Sequence, residues 1–345
     1  MNYSNVYNEL KDYPISDYRD FIINIDNSYK NITSREYEIS NDKRPLIYFD
    51  KLGISDLHDS FTINKNNVLF DCLMTPIPKN CKSLFVIFSG SRIINKDKLP
   101  IFKRWSYYRF IDSIVLNIAD PMFYEHENLV LGWYYGKKDI SYLEYISEII
   151  KKIQNLFGID NENLFFFGSS GGGYASLQLS MYFKGTNHIA INPQISISKY
   201  HYEKFFTKET GIDLHENDSF RRNETEQIII ERVNQKLNKY LIVQNSKDEH
   251  DCTRHLFPLL NKLNIDSLHL GLNSFESITI WLYSCVGGHN AQGDQFIFSY
   301  ILYLADKLSR NICFTEFDYF LFKNITVLWK QREYFIHASK GNNAN

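Results

Sequence analysis

Residues 163–183 constrain the fold of this chain more than any other stretch. Asn163–Phe167 is a short run of β-favouring residues, and it leads without a spacer into Gly168-Ser169-Ser170-Gly171-Gly172-Gly173. A helical pattern, Tyr174–Phe183, follows at once. Gly168 to Gly172 fit G-x-S-x-G, with Ser170 in the central place. A serine on a sharp turn between strand and helix has a strained backbone, and its hydroxyl projects above the sheet edge. Its neighbours must be small because the turn brings strand and helix backbones together, a demand that Gly168 and Gly172 meet. The helix starting near Gly171 points free N–H groups and its positive dipole end at the same spot, so Gly171 can donate to an oxyanion. Glycine turns that bind phosphate need other residues. No Lys follows these glycines, and Ser170 stands where G-x-G-x-x-G counted from Gly168 requires its second glycine.

A nucleophilic serine needs a base to take its proton and a carboxylate to orient that base. In the fold that a turn of this kind implies, acid and then histidine follow the serine, each on a loop after a later strand. Of ten histidines, His289 has that setting: it lies in Gly287-Gly288-His289-Asn290, between the strand-like run Ser277–Cys285 and the helical pattern Ala291–Leu308. His250 and His255 fall earlier, beside the acid candidates. Strand Tyr240–Gln244 runs into Asn245-Ser246-Lys247-Asp248-Glu249-His250-Asp251, where Asp248 has the right offset for the acid. Asp251 competes but also suits an N-cap, and Glu249 is a third choice. A second oxyanion donor belongs on the loop after an early strand. Lys82–Phe88 followed by Ser89-Gly90-Ser91 fits, and Arg92 beside it suits an anionic donor or substrate. The aromatic segments Trp105-Ser106-Tyr107-Tyr108 and Gly132-Trp133-Tyr134-Tyr135-Gly136 are candidates for a sugar-stacking wall, with Trp133 and Tyr134 as substrate contacts. Core packing is the other use for such runs.

From about residue 82, apolar strand-like runs alternate with helical patterns. Ser113–Ile118, His188–Ile191 and Tyr240–Gln244 are strands, while Asp139–Phe157, Asp251–Leu263 and Ala291–Leu308 read as helices. Strands separated by helices predict an α/β fold with a mostly parallel sheet covered on both faces. Residues 1–75 read as a polar, β-rich extension, with short runs at Leu46–Phe49 and Val68–Phe70. Residues 76–310 read as the core. Residues 311–345 form a C-terminal extension, holding one apolar stretch, Asn324–Trp329, and a disordered tail from Ser339.

Charge and cysteine usage remove several classes. Thirty-eight basic against 40 acidic residues leave a net charge of −2, which gives no footprint for nucleic acid and no polybasic membrane anchor. No apolar run approaches the roughly 20 residues of a membrane span. The start of the chain lacks signal-peptide features. Five cysteines with no CxxC pair argue against a disulfide framework or zinc site, and a cytoplasmic setting is expected. Aromatics reach 16%, more than stacking alone would use.

Taken together, the turn at Ser170, the loop at 89–92, Asp248 and His289 resemble the α/β-hydrolase superfamily over roughly residues 80–310. Phe167-Gly168-Ser169-Ser170-Gly171-Gly172-Gly173-Tyr174 is similar to the bacterial surface-polysaccharide O-acetyltransferases and to the acetyltransferase-like components of accessory secretion systems. The segments around Asp248 and Gly288-His289-Asn290 look like that branch's acid and base segments. The resemblance implies a serine acyl-ester enzyme: an O-acyltransferase if a sugar hydroxyl resolves the acyl-enzyme, a carboxylesterase if water does. It implies a donor such as acetyl-CoA as co-substrate, a carbohydrate acceptor, association with glycan-synthesis machinery, and neither bound cofactor nor metal. A non-catalytic scaffold of a glycan-assembly complex and a serine peptidase of the same fold are the alternatives.

Overall fold

The computed structural model describes residues 44–57, 59–75, 81–111, 113–285, 288–290 and 295–326. Residues 1–43, part of the apolar stretch expected at Asn324–Trp329, and the tail from Ser339 lie outside them. Ten strands form one sheet: β1 Leu46–Tyr48, β2 Asp59–Lys65, β3 Val68–Met74, β4 Leu84–Phe88, β5 Ile114–Ile118, β8 Leu164–Ser169, β9 Asn187–Ile191, β10 Lys239–Asn245, β11 Gly271–Phe275 and β12 Ile278–Tyr283. A separate small hairpin pairs β6 Gly136–Lys137 with β7 Ile140–Ser141. The strand order across the sheet is β1-β2-β3-β5-β4-β8-β9-β10-β12-β11. The central run from β5 through β4, β8, β9 and β10 to β12 is parallel throughout. Antiparallel pairs flank it, β2 with β3, β3 with β5, and β11 with β12. The strands of the expected N-terminal extension therefore continue the same sheet, because β3 pairs with β5.

The parallel strands read as unbroken apolar runs because both their faces are covered. On one face Leu84, Val86, Phe88, Leu164 and Phe166 pack against Ile146, Ile149, Ile150 and Ile153 of helix α1, Tyr142–Phe157. Further along that face, Tyr240, Ile242 and Ile280 meet α3, Thr225–Asn234, and α4, Phe257–Lys262. The opposite face presents Phe85, Ile87, Phe165, Phe167, Leu241 and Val243 to Ile297, Phe298 and Ile301 of α5, Gln295–Ser309. Much of the aromatic excess is spent here: the Phe85 and Phe165 rings stack with centroids 5.8 Å apart, and Phe298 meets Phe85 edge-on at 6.3 Å.

Helix α1 begins three residues later than its apolar pattern suggests, because the β6–β7 hairpin takes residues 136–141. Ser141 caps it, accepting from the Glu144 N–H at 3.3 Å, and Gly158 closes it at φ 63°. Strands β2 and β11 were not apparent in the sequence. Each lies near a sheet edge and mixes polar with apolar residues, so neither stands out as an apolar run. Among the described residues no helix is long and apolar enough to cross a membrane.

Candidate active site

Strands β4 and β5 build the sheet to one side and β8 onward build it to the other. The carboxyl ends of β4 and β8 therefore face a topological switch point, where open parallel sheets hold their ligands. Ser170 stands there, between β8 and helix α2, Gly171–Gln178. Its backbone is at φ 55° and ψ −121°, a region that costs a non-glycine residue on the order of 1–3 kcal/mol. The Ser170 N–H donates to Ile191 O at 3.0 Å, and its carbonyl accepts from the Tyr174 N–H at 3.1 Å, which hold the turn. The flanking glycines are sterically required. A Cβ on Gly168 would lie 2.1 Å from the Gly172 carbonyl, and one on Gly172 would lie 2.4 Å from Phe88 O.

His289 comes from the turn Gly288–Asn290 after β12, and its Nε2 lies 2.9 Å from Ser170 Oγ. Gly288 adopts φ 55° to fold the loop back, while Gly287 lies outside the described residues. Two asparagines that carry no catalytic motif lock that loop. Asn245, at the end of β10, donates from Nδ2 to Cys285 O at 2.8 Å and Gly288 O at 2.9 Å, and its Oδ1 accepts from Cys285 N–H at 2.9 Å. Asn192 accepts from the Asn245 N–H at 2.8 Å and donates to His289 O at 3.3 Å.

His289 Nδ1 lies 2.8 Å from Oδ2 of both Asp248 and Asp251. Only the contact to Asp248 has hydrogen-bond geometry; Asp251 Oδ2 is close but off the N–H direction. Burial opposes charge on the imidazole, but hydrogen bonding and attraction from the two carboxylates outweigh it and raise the His289 pKa to about 9. Burial likewise pushes Asp248 up, and the His289 contact overcomes it, leaving the carboxyl below its ordinary value. Asp251 turns its other oxygen toward His250 Nδ1 at 3.1 Å and His255 Nε2 at 3.6 Å. His255 is fully buried and its Nδ1 accepts from the Ser196 N–H; burial takes its pKa down to about 3, so it is neutral. Among the described residues, two groups bring three metal-ligating side chains together: Asp248 with Asp251 and His289, and His250 with Asp251 and His255. In the first, the imidazole N–H already occupies the carboxylate, which is the arrangement of an acid–base pair.

The expected oxyanion residues divide. Among the described residues the N–H groups of Gly171, Gly90 and Ser91 have no hydrogen-bond partner. Gly90 packs on the turn so closely that a Cβ would lie 2.9 Å from Ser169 O and 3.8 Å from Gly171 N. Ser89 is committed elsewhere: its N–H donates to the Tyr134 hydroxyl at 2.8 Å, and its Oγ donates to Ile101 O and accepts from Lys103 N–H, both at 2.9 Å.

The expected substrate contacts are placed differently. Arg92 is buried, and its guanidinium donates to the carbonyls of Leu129 at 2.7 Å, His126 at 3.2 Å and Glu127, holding that loop. Trp133 and Tyr134 are fully buried and line no part of the cavity beside Ser170. That cavity, about 500 Å³, is lined by Gly90, Ser91, Phe102, Lys103, Arg104, Trp105, Tyr107, Ser169 and Ser170. Its cations are thus Lys103 and Arg104, with no carboxylate in the lining. Of the two aromatic segments, the one at 105–108 reaches it. A local signal for this was Lys103-Arg104-Trp105, a basic pair leading into aromatics.

No protein-family model matches the chain, and no curated protein matches it in sequence. Solved structures do resemble it. The capsule O-acetyltransferase of Neisseria meningitidis serogroup A aligns with a TM-score of 0.51 at 20% identity, over 72% of this chain and 93% of that one. The Glycosylation Associate Protein (Gap123) complex from Streptococcus agalactiae gives 0.51 at 15% identity, over 73% and 46%. An S-formylglutathione hydrolase from Agrobacterium tumefaciens gives 0.51 at 12% identity, over 74% and 95%. With its parallel sheet and its serine turn after β8, the chain has the α/β-hydrolase fold.

Proposed function

We propose that the chain is a serine acyl-ester enzyme in which Ser170 is the nucleophile, His289 the base and Asp248 the orienting acid. One observation carries this: Ser170 Oγ, on a strained strand-to-helix turn, lies 2.9 Å from His289 Nε2, whose Nδ1 lies 2.8 Å from Asp248. In the first half-reaction Oγ attacks the acyl carbonyl as its proton passes to His289 Nε2. Asp248 holds the Nδ1–H and stabilises the imidazolium. The carbonyl oxygen takes up the negative charge and is met by the Gly171 and Gly90 N–H groups. The carbonyl reforms, the bond to the leaving group breaks, and the leaving group takes the proton from His289. In the second half an acceptor hydroxyl gives its proton to His289, attacks the Ser170 ester, and returns Oγ to the hydroxyl form.

The cavity suits an anionic acyl donor. Arg104 supplies positive charge beside Ser170, Lys103 in the same lining is ion-paired with Asp97 at 3.3 Å, and Trp105 and Tyr107 supply flat apolar surface. Acetyl-CoA has both parts, phosphates and an adenine ring. The choice of a glycan hydroxyl as acceptor takes its lead from the capsule O-acetyltransferase among the structural neighbours, and the Gap123 likeness motivates association with glycan-synthesis machinery. With water as acceptor the same residues give an esterase.

The test is labelling with a fluorophosphonate, followed by acetyl release from acetyl-CoA with and without glycan acceptors. Wild type should label and Ser170→Ala should not, with His289→Ala at background. Ser170→Ala should keep the wild-type Tm, while His289→Ala should still unfold cooperatively but at a lower Tm at neutral pH, because Asp248 and Asp251 lose their cationic partner. A folded, unlabelled wild type overturns the proposal in favour of a non-catalytic scaffold.

A further inference from the structure

Ser170 Oγ has a second polar neighbour that belongs to no catalytic motif. Gln194, on the loop after β9, donates from Nε2 to Ser170 Oγ at 2.9 Å. Its Oε1 accepts from Trp133 Nε1 at 2.6 Å. Both side chains are fully buried, where a polar group without a partner is costly. Chemistry settles which way the amide points. An indole N–H can only donate, so the amide oxygen must face Trp133 and the NH2 must face the serine.

The backbone is strained where it sets this pair. Trp133 and Tyr134 are consecutive bulky residues at φ 55° and 54°, a left-handed conformation that natural sequences give to glycine or asparagine. Buried contacts hold it. The Tyr134 N–H donates to Asp120 Oδ2 at 3.0 Å, and its hydroxyl donates to Ile118 O at 2.9 Å. Gly132 has no room for a side chain, since a Cβ would lie 2.5 Å from that of Met122. Strain at such a site points to function when the surroundings maintain it. Here it delivers the indole N–H to Gln194.

We infer that Gln194 is a further catalytic residue, its amide N–H donating to Ser170 Oγ, and that Trp133 is the positioning residue that orients it; this rests on Ser170 being the nucleophile. A serine hydroxyl has one proton and two lone pairs. The proton goes to His289 Nε2, Gln194 holds one lone pair, and the other is left aimed at the acyl carbon. The donor fixes the rotamer of Ser170 before attack. It also strengthens as Oγ loses its proton, and an interaction that grows toward the transition state accelerates the step. Once Oγ has become an ester oxygen it is a weaker acceptor, so the contact favours attack over the resting acyl-enzyme.

The experiment measures second-order rates of fluorophosphonate labelling for the full chain as wild type, Gln194→Met, Trp133→Phe and the double variant. Methionine keeps the volume of glutamine and removes both donors. Gln194→Met should label about 10- to 100-fold more slowly, below the loss typical of a whole oxyanion-hole donor. Trp133→Phe should lose part of that, about threefold to tenfold, and keep its melting transition. In the double variant the rate should equal that of Gln194→Met, because the indole acts only through the amide. Multiplying losses would overturn the link to Trp133, and a wild-type rate in Gln194→Met would overturn the inference while leaving Ser170 as nucleophile. An unlabelled wild type would remove both. If Gln194→Met does not fold, Trp133→Phe carries the test alone, and an unchanged rate there overturns the inference.

Discussion

Removing the charge of Asp251 should move the pH at which Ser170 becomes reactive. His289 Nδ1 faces two carboxylates at 2.8 Å, and its pKa rises to about 9 despite burial. As the proposed base, His289 works only as the neutral imidazole, with Nδ1–H toward Asp248 and the Nε2 lone pair toward Ser170. At pH 7 about one molecule in a hundred is in that form, from two pH units below the midpoint. Fluorophosphonate labelling should therefore climb about tenfold per pH unit between pH 6 and 8 and level off above about 9. Asp251→Asn keeps the shape and removes one of two opposite charges, a change of at least about one pKa unit at this distance. The midpoint should fall toward 8, and labelling at pH 7 should rise about tenfold. Asp248→Asn behaves oppositely, since the N–H is aimed at that residue; the ring loses its orientation and the rate should fall by orders of magnitude at every pH. A wild-type profile flat from pH 7 to 10, or an unmoved midpoint in Asp251→Asn, would refute the reasoning. So would a collapse of rate in Asp251→Asn with Asp248→Asn active, which would make Asp251 the acid. Stability should follow the same groups. The folded pKa of His289 lies above its ordinary 6.5, so its contribution is full below about pH 6.5 and lost as pH rises through 9. Asp248 is depressed, so its contribution holds above about pH 4 and is lost on acidification. The Tm of wild type should fall between pH 6.5 and 9.5 more than that of His289→Ala.

Three other perturbations address the scaffold and the cavity. Gly172→Ala places a methyl 2.4 Å from Phe88 O, so backbone must move; a loss of about 3 kcal/mol, read as a Tm drop of roughly 6–12 °C by circular dichroism, is expected, and an unchanged Tm would count against the tight turn. Asn245→Ala leaves the Cys285 and Gly288 carbonyls and the Cys285 N–H without their partner, at about 1–3 kcal/mol for each buried group. Because that asparagine anchors the His289 loop, labelling should also slow by at least about tenfold. Arg104→Glu should raise KM for acetyl-CoA by about tenfold with kcat nearly unchanged, while hydrolysis of a neutral ester such as p-nitrophenyl acetate stays at the wild-type rate. Equal losses on both substrates would place Arg104 in the fold rather than in donor binding.

What could be read along the chain has local causes. The turn at Ser170 is legible because two backbones meeting within a few residues exclude side chains, and Gly168 and Gly172 record that exclusion. Burial of the parallel strands on both faces writes itself into runs such as Leu84–Phe88 and Leu164–Phe167. The chain order of Ser170, Asp248 and His289 follows from loops that leave successive parallel strands at the same sheet edge. The residues that only the tertiary structure placed are those whose partners lie far off. Arg92 looked like an anion contact, yet three carbonyls of residues 126–129 claim its guanidinium. Trp133 and Tyr134 looked like a sugar wall and are buried, the one holding Gln194 and the other Ser89. Asp248 and Asp251 sit one turn apart and both reach the same nitrogen, and only the direction of its N–H separates them. Gln194 had no signal, and Asn192 and Asn245 were legible only as the residues that close their strands, not by what they bond. An amide side chain is equally at home on a surface loop, and only the convergence of strand ends determines what it bonds. By itself, the sequence determined the fold class and the turn that raises Ser170. The tertiary structure decided that Gln194 also meets that oxygen, because the contact joins residues 24 positions apart on loops that only the sheet brings together.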